Sequence, residues 1–199
     1  MIQAVLFDMG GVLVELGSLP DLLGTARSAA DFWPQWLGSP AVQEFERGRC
    51  DPEEFARRAV VDLELPIGPE EFLANFARFP RGLFPGSRQL VGDVARVATT
   101  AVLSNTNDLH WRTQPDAEIV RSMFDRSYLS YRIGAVKPEA EIFHHVLDDL
   151  GLPGDEVLFL DDNAINVDGA RRFGIRAQVA KGPAQARSVL VEHQVLGPS

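Results

Sequence analysis

The chain has little of several things that proteins of other classes need. Its single cysteine, Cys50, among 199 residues rules out an internal disulfide and fits a reducing compartment. It has no uninterrupted apolar run long enough to span a bilayer and no basic stretch ahead of its first apolar residues. We therefore expect a cytoplasmic protein with neither a membrane span nor a secretory leader.

Positive charge is also scarce. The chain has 19 Lys and Arg residues against 28 Asp and Glu, which gives a net charge of −9. An acidic chain repels phosphate backbones and anionic lipid, so we expect neither nucleic acid nor membrane as a partner. Its apolar content of 45% and charged content of 24% are those of an ordinary globular protein. The length fits one large domain or a core with a small insert.

The most informative segment runs from Phe7 to Leu13. An apolar run over residues 2–7 stops at Asp8, and Gly10 and Gly11 follow. This pattern is typical of a buried strand that enters a tight turn. Open α/β sheets bind ligands at the carboxyl ends of their strands, so we expect Asp8 on the floor of an active site. The alternative is an ordinary turn in which Asp8 makes a local hydrogen bond.

Periodicity divides the rest of the chain into two parts. Residues 14–81 carry helix signals, such as Asp51-Pro52-Glu53-Glu54, and no convincing strand. A helix is predicted over residues 19–30, and we expect the segment 32–36, with Pro34 at its centre, to break it. From residue 83 strands are predicted at 99–103, 157–160 and 175–179, between helices at 87–97, 116–124, 138–150 and 164–173. We predict an α/β fold: a doubly wound, Rossmann-like parallel-sheet core of residues 1–13 and 82–199, with a small all-helical cap of residues 14–81 inserted after the first strand.

Three further spots at strand ends or helix starts carry chemistry. Ser104 and Asn105 follow a strand and are suited to binding phosphate, although both residue types are common at strand exits. Lys137 precedes a long helix, either as a solvated lysine or as a compact charge between a nucleophile and a phosphate. Asp161 and Asp162 end an apolar strand, where two acids are costly unless a cation such as Mg²⁺ neutralises them. The alternative for this pair is an exposed acidic turn that caps the next helix.

This ordered set of motifs resembles the haloacid dehalogenase superfamily, most of whose members are magnesium-dependent phosphatases. The helical segment after the first motif looks like the small helical cap of that superfamily. Residues 103–107, 128–130, 137–140, 142–143 and 160–163 look closest to bacterial α-D-glucose-1-phosphate phosphatases. The phosphatase domain of soluble epoxide hydrolases is a more distant likeness.

The resemblance implies a role for each motif. Asp8 would attack phosphorus and form an aspartyl-phosphate, with Lys137 as the catalytic cation beside it. Phosphate would contact Lys137, Ser104 and Asn105, together with the turn residues Met9 and Gly10. Glycines at positions 10 and 11 let backbone N–H groups point at phosphate oxygens.

The resemblance also implies how Mg²⁺ is held. Asp8, the backbone carbonyl of Gly10 and Asp162 would be its inner ligands, and Asp161 would order a water bound to the metal. Asn166 stands where many relatives have an acid, and its supporting role is left open.

One position departs from the family pattern. Most phosphatases of the superfamily have a second Asp two residues after the nucleophile, which protonates the leaving group, and this chain has Gly10 there. Such general acid help is worth about 10²–10⁴-fold in rate. We favour a leaving group that needs no protonation, such as the anomeric oxygen of a sugar. The alternatives are a substitute acid, with His110 as the candidate to test, and a chain that no longer turns over. We assign Glu46, Arg47, Gly48 and Arg49 to a solvated helix end, with the alternative that one of these polar side chains reaches a sugar hydroxyl.

We therefore expect a magnesium-dependent phosphomonoesterase that acts on a small phosphate ester, with a sugar 1-phosphate as a plausible substrate, and that is a monomer or a weak homodimer. Two alternatives are a 2-haloacid dehalogenase-type hydrolase, in which the same Asp attacks carbon, and a catalytically weak binding protein. The Asp161-Asp162 pair argues against the first, because a metal-free site has no need of it.

Overall fold

A parallel five-stranded sheet lies at the centre of the computed structural model, which describes residues 1–198. Across the sheet its strands are β5 (Arg126–Leu129), β4 (Thr99–Ser104), β1 (Ala4–Phe7), β6 (Val157–Asp161) and β7 (Arg176–Val179). The chain places β4 and β5 on one side of β1 and β6 and β7 on the other. This confirms the predicted α/β fold, and it places the topological switch point beside the end of β1.

The sheet is buried on both faces, which explains the continuous apolar runs of its strands. Successive side chains of a strand point to opposite faces. Ala4 and Leu6 accordingly belong to one core cluster, and Val5 and Phe7 belong to another. Helices cover both faces, and the strand ends that carry polar residues meet along one edge.

The helices are numbered in chain order. They are α1 (Leu19–Leu22), α2 (Ala29–Gly38), α3 (Pro40–Glu46), α4 (Pro52–Asp62), α5 (Pro69–Phe76), α6 (Ser87–Val94), α7 (Asp108–Thr113), α8 (Ala117–Ser122), α9 (Ser130–Ile133), α10 (Ala140–Leu150), α11 (Ala164–Arg171) and α12 (Gly182–Glu192). The N-terminal cap predicted for α4 forms: the Asp51 side chain accepts a hydrogen bond from the Glu54 backbone N–H at 2.7 Å. No helix among residues 1–198 is both long and apolar enough to cross a bilayer.

Helices α1 to α5 form a separate layer, which we call the helical insert (residues 19–76). Its core consists largely of aromatic rings, and the rings of Phe45 and Phe55 stack with centroids 4.1 Å apart. The expected break at Pro34 is wrong, because α2 continues through it. Phe32 and Trp36, four residues apart on one helix face, are buried in this core, and their burial outweighs the hydrogen bond that proline removes.

The expectation of no strand within residues 14–81 is also wrong at both ends. β2 (Val14–Leu16) and β3 (Pro80–Leu83) pair antiparallel on either side of the helical insert. Each strand is only three or four residues long, too short for its pattern to identify it as a strand. Strand β5 and helix α12 were not predicted either. The pairing of β2 with β3 depends on a contact between segments more than 60 residues apart, which local periodicity does not encode.

Candidate active site

Lys137 is at the centre of the candidate site, with its ammonium group buried between two carboxylates. The Nζ atom donates to Asp8 Oδ1 at 2.7 Å, to Asp161 Oδ2 at 2.7 Å and to the Leu103 carbonyl at 3.0 Å. All three donors of the ammonium are therefore used. Lys137 is 4% exposed, Asp8 is 8% exposed and Asp161 is fully buried. The ends of β1, β4 and β6 thus converge on one cation, as the sheet topology requires.

This burial changes the acid–base properties of the group. Burial, together with the nearby carboxylates of Asp161 and Asp162, raises the pKa of Asp8 to about 7 against the attraction of Lys137. Burial by itself lowers the pKa of Lys137, but Asp161 and Asp8 outweigh it and raise the pKa above that of a free lysine. The lysine stays charged, and the cluster has more negative charge than it can neutralise.

The adjacent acids at the end of β6 differ in their surroundings. Asp161 accepts hydrogen bonds from Lys137, from the Asn163 backbone N–H at 2.8 Å and from the Asn166 amide at 3.1 and 3.2 Å. Asp162 is partly buried, and burial together with the Asp161 charge raises its pKa. Asp161 is therefore held by protein donors, whereas Asp162 faces the cavity.

The three carboxylates fit a divalent cation. Asp8, Asp161 and Asp162 each place an oxygen within 4.8 Å of the others. Asp8 Oδ2 and the Asp162 carboxylate accept no side-chain hydrogen bond within residues 1–198. The turn hydrogen bonds use the carbonyls of Met9, Gly11 and Val14, which leaves the Gly10 carbonyl free. Hard oxygen donors with surplus negative charge are the set that Mg²⁺ prefers.

The residues expected to bind phosphate all lie at this edge. Met9, Gly10, Ser104 and Asn105 line the same cavity as Asp8 and Lys137. The Asn105 side chain, however, is already bonded to the Lys137 backbone, accepting from its N–H at 2.8 Å and donating to its carbonyl at 3.0 Å. The side-chain amide of Asn105 is therefore engaged, and its backbone N–H is the donor that stays available to a phosphate. The side chain instead fixes the lysine.

The cavity has a volume of about 260 Å³ and is enclosed by the core on one side and the helical insert on the other. Its outer wall is aromatic, with Trp33, Trp36, Phe76 and Phe79. Trp36 and Phe76 belong to the core of the insert, and Trp33 and Phe79 pack against that core. All four rings also line the cavity.

His110 lines the cavity but is not available as an acid. Its Nε2 lies 2.8 Å from the Phe76 carbonyl and its Nδ1 lies 3.3 Å from the Asn107 amide nitrogen. Since a carbonyl only accepts and an amide NH₂ only donates, the ring is neutral, with its proton on Nε2. Burial lowers the pKa of His110 to about 4. The hypothesis that His110 replaces the missing acid is therefore not supported.

Three functional candidates are missed or underrated by the sequence alone. Asn166, whose role the sequence leaves open, holds both oxygens of Asp161. Gln114 lines the cavity, and its Oε1 is the one buried side-chain N or O atom without a partner among residues 1–198. Glu46, assigned to a solvated helix end, is partly buried and lines the cavity. The scarcity of lysine is a sequence signal for the charged site. Lys137 and Lys181 are the only lysines of the chain, and the positive charge of each lowers the pKa of Asp162.

Comparison with known proteins shows which family the chain is similar to. The family model for haloacid dehalogenase-like hydrolases matches residues 2–174. A D-ribitol-5-phosphate phosphatase from Bacteroides thetaiotaomicron is 27% identical over 206 residues, an alignment that covers 96% of this chain and 97% of that protein.

Solved structures are similar over most of the chain as well. A HAD family enzyme from Bacteroides thetaiotaomicron, in complex with magnesium and inorganic phosphate, has a TM-score of 0.73 and 26% identity, and covers 91% of this chain and 95% of its own. The L-2-haloacid dehalogenase from Xanthobacter autotrophicus has a TM-score of 0.66 and 22% identity, and covers 100% of this chain and 84% of its own. At that identity the likeness extends to the fold alone.

Proposed function

The chain belongs to the haloacid dehalogenase-like hydrolases and is a hydrolase of the phosphatase type, and we propose that it cleaves small phosphate monoesters through a phosphorylated Asp8. Magnesium is a trait of the family, as the magnesium-bound neighbour illustrates. The observation that carries the proposal is the buried cluster in which Lys137 bridges Asp8 and Asp161, with Asp162 beside them.

Asp8 is suited to be the nucleophile. Lys137 fixes its Oδ1, while Oδ2 stays open to a ligand in the cavity. A carboxylate oxygen of Asp8 attacks phosphorus, the bond from phosphorus to the ester oxygen breaks, and water later hydrolyses the acyl phosphate. Lys137 lowers the repulsion between the attacking carboxylate and the anionic phosphate.

Asp8, Asp162 and the Gly10 carbonyl are the groups that would hold Mg²⁺, and Asp161 would support them from behind. When bound, the ion neutralises the carboxylates and the charge on the phosphoryl oxygens. The residues of the chain do the remaining work. Asn105 holds the Lys137 backbone, Asn166 holds Asp161, and the Ser104 hydroxyl, 3% exposed at the cavity wall, donates to a phosphate oxygen.

The substrate we propose is a phosphorylated sugar or polyol. A cavity of about 260 Å³ takes a small metabolite, and its wall combines aromatic rings with the unpartnered Gln114 Oε1, which can accept from a hydroxyl group. The similarity to a D-ribitol-5-phosphate phosphatase supports this class. Within it, Gly10 favours a sugar 1-phosphate, because an anomeric oxygen leaves more easily than a simple alkoxide.

The test is phosphate release from glucose 1-phosphate, ribitol 5-phosphate and p-nitrophenyl phosphate, with and without Mg²⁺. We expect Mg²⁺-dependent turnover that EDTA removes and that Asp8→Asn abolishes. Asp168→Asn, an exposed acid paired with Arg171, is the matched control and should keep full activity. Turnover that survives EDTA or Asp8→Asn would contradict the mechanism. Chloride release from 2-chloropropionate, without metal, would favour the dehalogenase alternative instead.

A further inference from the structure

The hydrolysis proposed above lacks a proton donor for the leaving oxygen, and the identification of one rests on that proposed function. Gly10 stands where a second carboxyl would be, and the Leu16 side chain occupies the space in front of it. A β-carbon at Gly10 would lie 2.9 Å from Leu16 Cδ1. The turn after β1 therefore offers no acid, and a donor must come from another wall of the cavity.

The cavity wall has five titratable side chains, and four are already committed. Asp8 is the proposed nucleophile, Lys137 is saturated with hydrogen bonds and Asp162 is a proposed metal ligand. Both ring nitrogens of His110 are engaged, and its pKa is far below neutrality. The fifth is Glu46.

Glu46 is fixed at the cavity by its neighbours in the chain. It is the last residue of α3. The following residue, Arg47, forms an ion pair with Glu139, which lies two residues after Lys137. Gly48 has a φ of +68°, and a β-carbon there would lie 2.2 Å from the Tyr131 carbonyl, so the backbone packs directly on α9. These contacts hold the end of α3 against the core. Among residues 1–198, none forms a hydrogen bond or ion pair with the Glu46 carboxyl.

The electrostatics of this position favour a protonated carboxyl. Burial raises the pKa of Glu46 to about 7, against the opposing charges of Arg47 and Lys137. Arg47 also forms an ion pair with Glu139, so only part of its charge acts on the Glu46 carboxyl. The other titratable groups of the cavity are neutral His110 and the acids Asp8 and Asp162, which add no positive charge. A donor is most effective when its pKa lies near the working pH.

We propose that Glu46 is the general acid of this enzyme, supplied by the helical insert in place of the turn after β1. As an Asp8 oxygen bonds to phosphorus, the phosphorus–oxygen bond to the leaving group breaks. Its electron pair stays on the leaving oxygen, which takes the proton from Glu46. In the second step the Glu46 carboxylate accepts a proton from the attacking water, whose oxygen bonds to phosphorus as Asp8 leaves. The acid is thereby restored.

This assignment widens the range of substrates. With a proton donor in place, esters of ordinary alcohols, whose alkoxides are poor leaving groups, are hydrolysed as well as sugar 1-phosphates. The donor also belongs to the helical insert. Protonation of the leaving oxygen therefore depends on the contact between α3 and the core. Water exclusion and proton donation are then provided by the same wall of the cavity.

The test compares Glu46→Gln with wild type on ribitol 5-phosphate and p-nitrophenyl phosphate. Because nitrophenolate leaves without a proton, we expect kcat/KM to fall about 100-fold or more for the first and less than about 5-fold for the second. Glu44→Gln, on the same helix and paired with Arg49, is the matched control and should change neither. In wild type, kcat/KM for ribitol 5-phosphate should fall as the pH rises above about 7. Glu46→Gln should remove that limb.

Equal losses on both esters, or an unchanged alkaline limb in Glu46→Gln, would overturn the assignment. Rescue provides a second measurement. In the Glu46→Gln background, Gly10→Asp should restore turnover of ribitol 5-phosphate, provided that Leu16→Ala makes room for it. If turnover of ribitol 5-phosphate in this triple variant stays as selectively impaired as in Glu46→Gln, that would also count against a proton-donor role. Wild-type turnover of p-nitrophenyl phosphate separates the two proposals. If it is absent or independent of Asp8, the proposed function itself fails, whereas if it is intact only the role of Glu46 is at issue.

Discussion

At the scale of single residues, the site is an uncompensated charge cluster. Lys137 bridges Asp8 and Asp161, and Asp162 adds a third carboxylate within 4.8 Å. One buried cation against three acids is unfavourable for folding, because buried like charges repel and are poorly solvated. Such an arrangement is useful only when a cation and an anionic substrate complete it, so function and stability should conflict here.

Asp8→Asn should expose that conflict. Removing one carboxylate should stabilise the metal-free protein by about 1–2 kcal/mol, or roughly 2–8 °C in Tm, while it abolishes turnover. The pKa of Asp8 is about 7 in the folded protein against 3.8 for a free side chain, so the gain should be complete above pH 7 and fade as the pH falls toward 4, where Asp8 is protonated in both the folded and the unfolded state. Thermal denaturation from pH 4 to 8 measures it. A destabilised Asp8→Asn protein would contradict the surplus of negative charge.

Lys137→Met, which leaves the Asp161 charge without a cation, should instead lose about 3–5 kcal/mol of free energy of unfolding.

Gly11→Ala should damage the metal site without touching a ligand. Gly11 has a φ of +73°, and a β-carbon there would lie 2.5 Å from Asp162 Oδ2. The substitution must displace the Asp162 carboxylate, so we expect at least about a 10-fold loss in Mg²⁺ affinity, measured by calorimetric titration. Gly174→Ala is the matched control, with a φ of +77° and open space around its β-carbon. It carries the same backbone strain and should leave Mg²⁺ affinity unchanged. Equal effects of both variants would show that strain alone matters.

At the scale of elements, strands provide the charged floor and helices provide the wall above it. The ends of β1, β4 and β6 fix Asp8, Ser104 and Asp161, whereas α3 and α5 bring Glu46 and Phe76. The insert has its own aromatic core, separate from the two clusters on the faces of the sheet. Its integrity, together with the contacts that hold α3 against the core, should therefore determine whether the wall is present.

Phe55→Ala tests this division. Phe55 is fully buried and packs on Phe45, Phe72 and Phe76. Its truncation should cost about 3–5 kcal/mol of free energy of unfolding, because it leaves a cavity at the centre of the insert. Urea denaturation followed by tryptophan fluorescence measures the loss, since Trp33 and Trp36 lie in the insert.

The exposed Val61→Ala on the same helix is the control and should change stability by less than about 0.5 kcal/mol. A loss for Phe55→Ala no larger than that of the control would mean that the aromatic core contributes little.

At the scale of the whole molecule, negative charge and magnesium are linked. The chain has a net charge of −9, and part of that surplus is concentrated at the edge of the sheet where the candidate site lies. A bound cation relieves the local repulsion only in the folded state, because the three carboxylates come from β1 and β6 and meet only there. Binding should therefore stabilise the entire fold.

Magnesium should raise the Tm of the wild-type protein. At 100 times its dissociation constant, a ligand that binds only the folded state adds about 2.7 kcal/mol, which for this size is roughly 5–10 °C. Differential scanning calorimetry with a Mg²⁺ series measures the shift, and EDTA should reverse it. Asp162→Asn should remove most of it, whereas Asp168→Asn should keep it. A shift that survives Asp162→Asn would place the ion elsewhere.

The sequence determined the fold class and most of the catalytic floor. Strands buried on both faces must be continuously apolar, so β1, β4 and β6 are visible as runs, and the polar residues that end each run must share one edge. Asp8, Ser104 and the Asp161-Asp162 pair were therefore identifiable from their positions at strand ends, whereas Lys137 was identified from its place before a predicted helix and from the family resemblance. The helix cap at Asp51 is equally local, and it is present as predicted.

Only the tertiary structure decided how the cavity wall above the sheet is built. β2 and β3 exist because the two ends of the insert meet, and α2 continues through Pro34 because its neighbours Phe32 and Trp36 are buried. The side chain of Asn105 is hydrogen-bonded to the Lys137 backbone, and the His110 ring is held by the Phe76 carbonyl at the end of α5. The burial of Glu46 follows from the packing of Gly48 on Tyr131, some 80 residues away in the chain. Local pattern records which face of an element is apolar, but the environment of a polar side chain depends on which distant segment covers it.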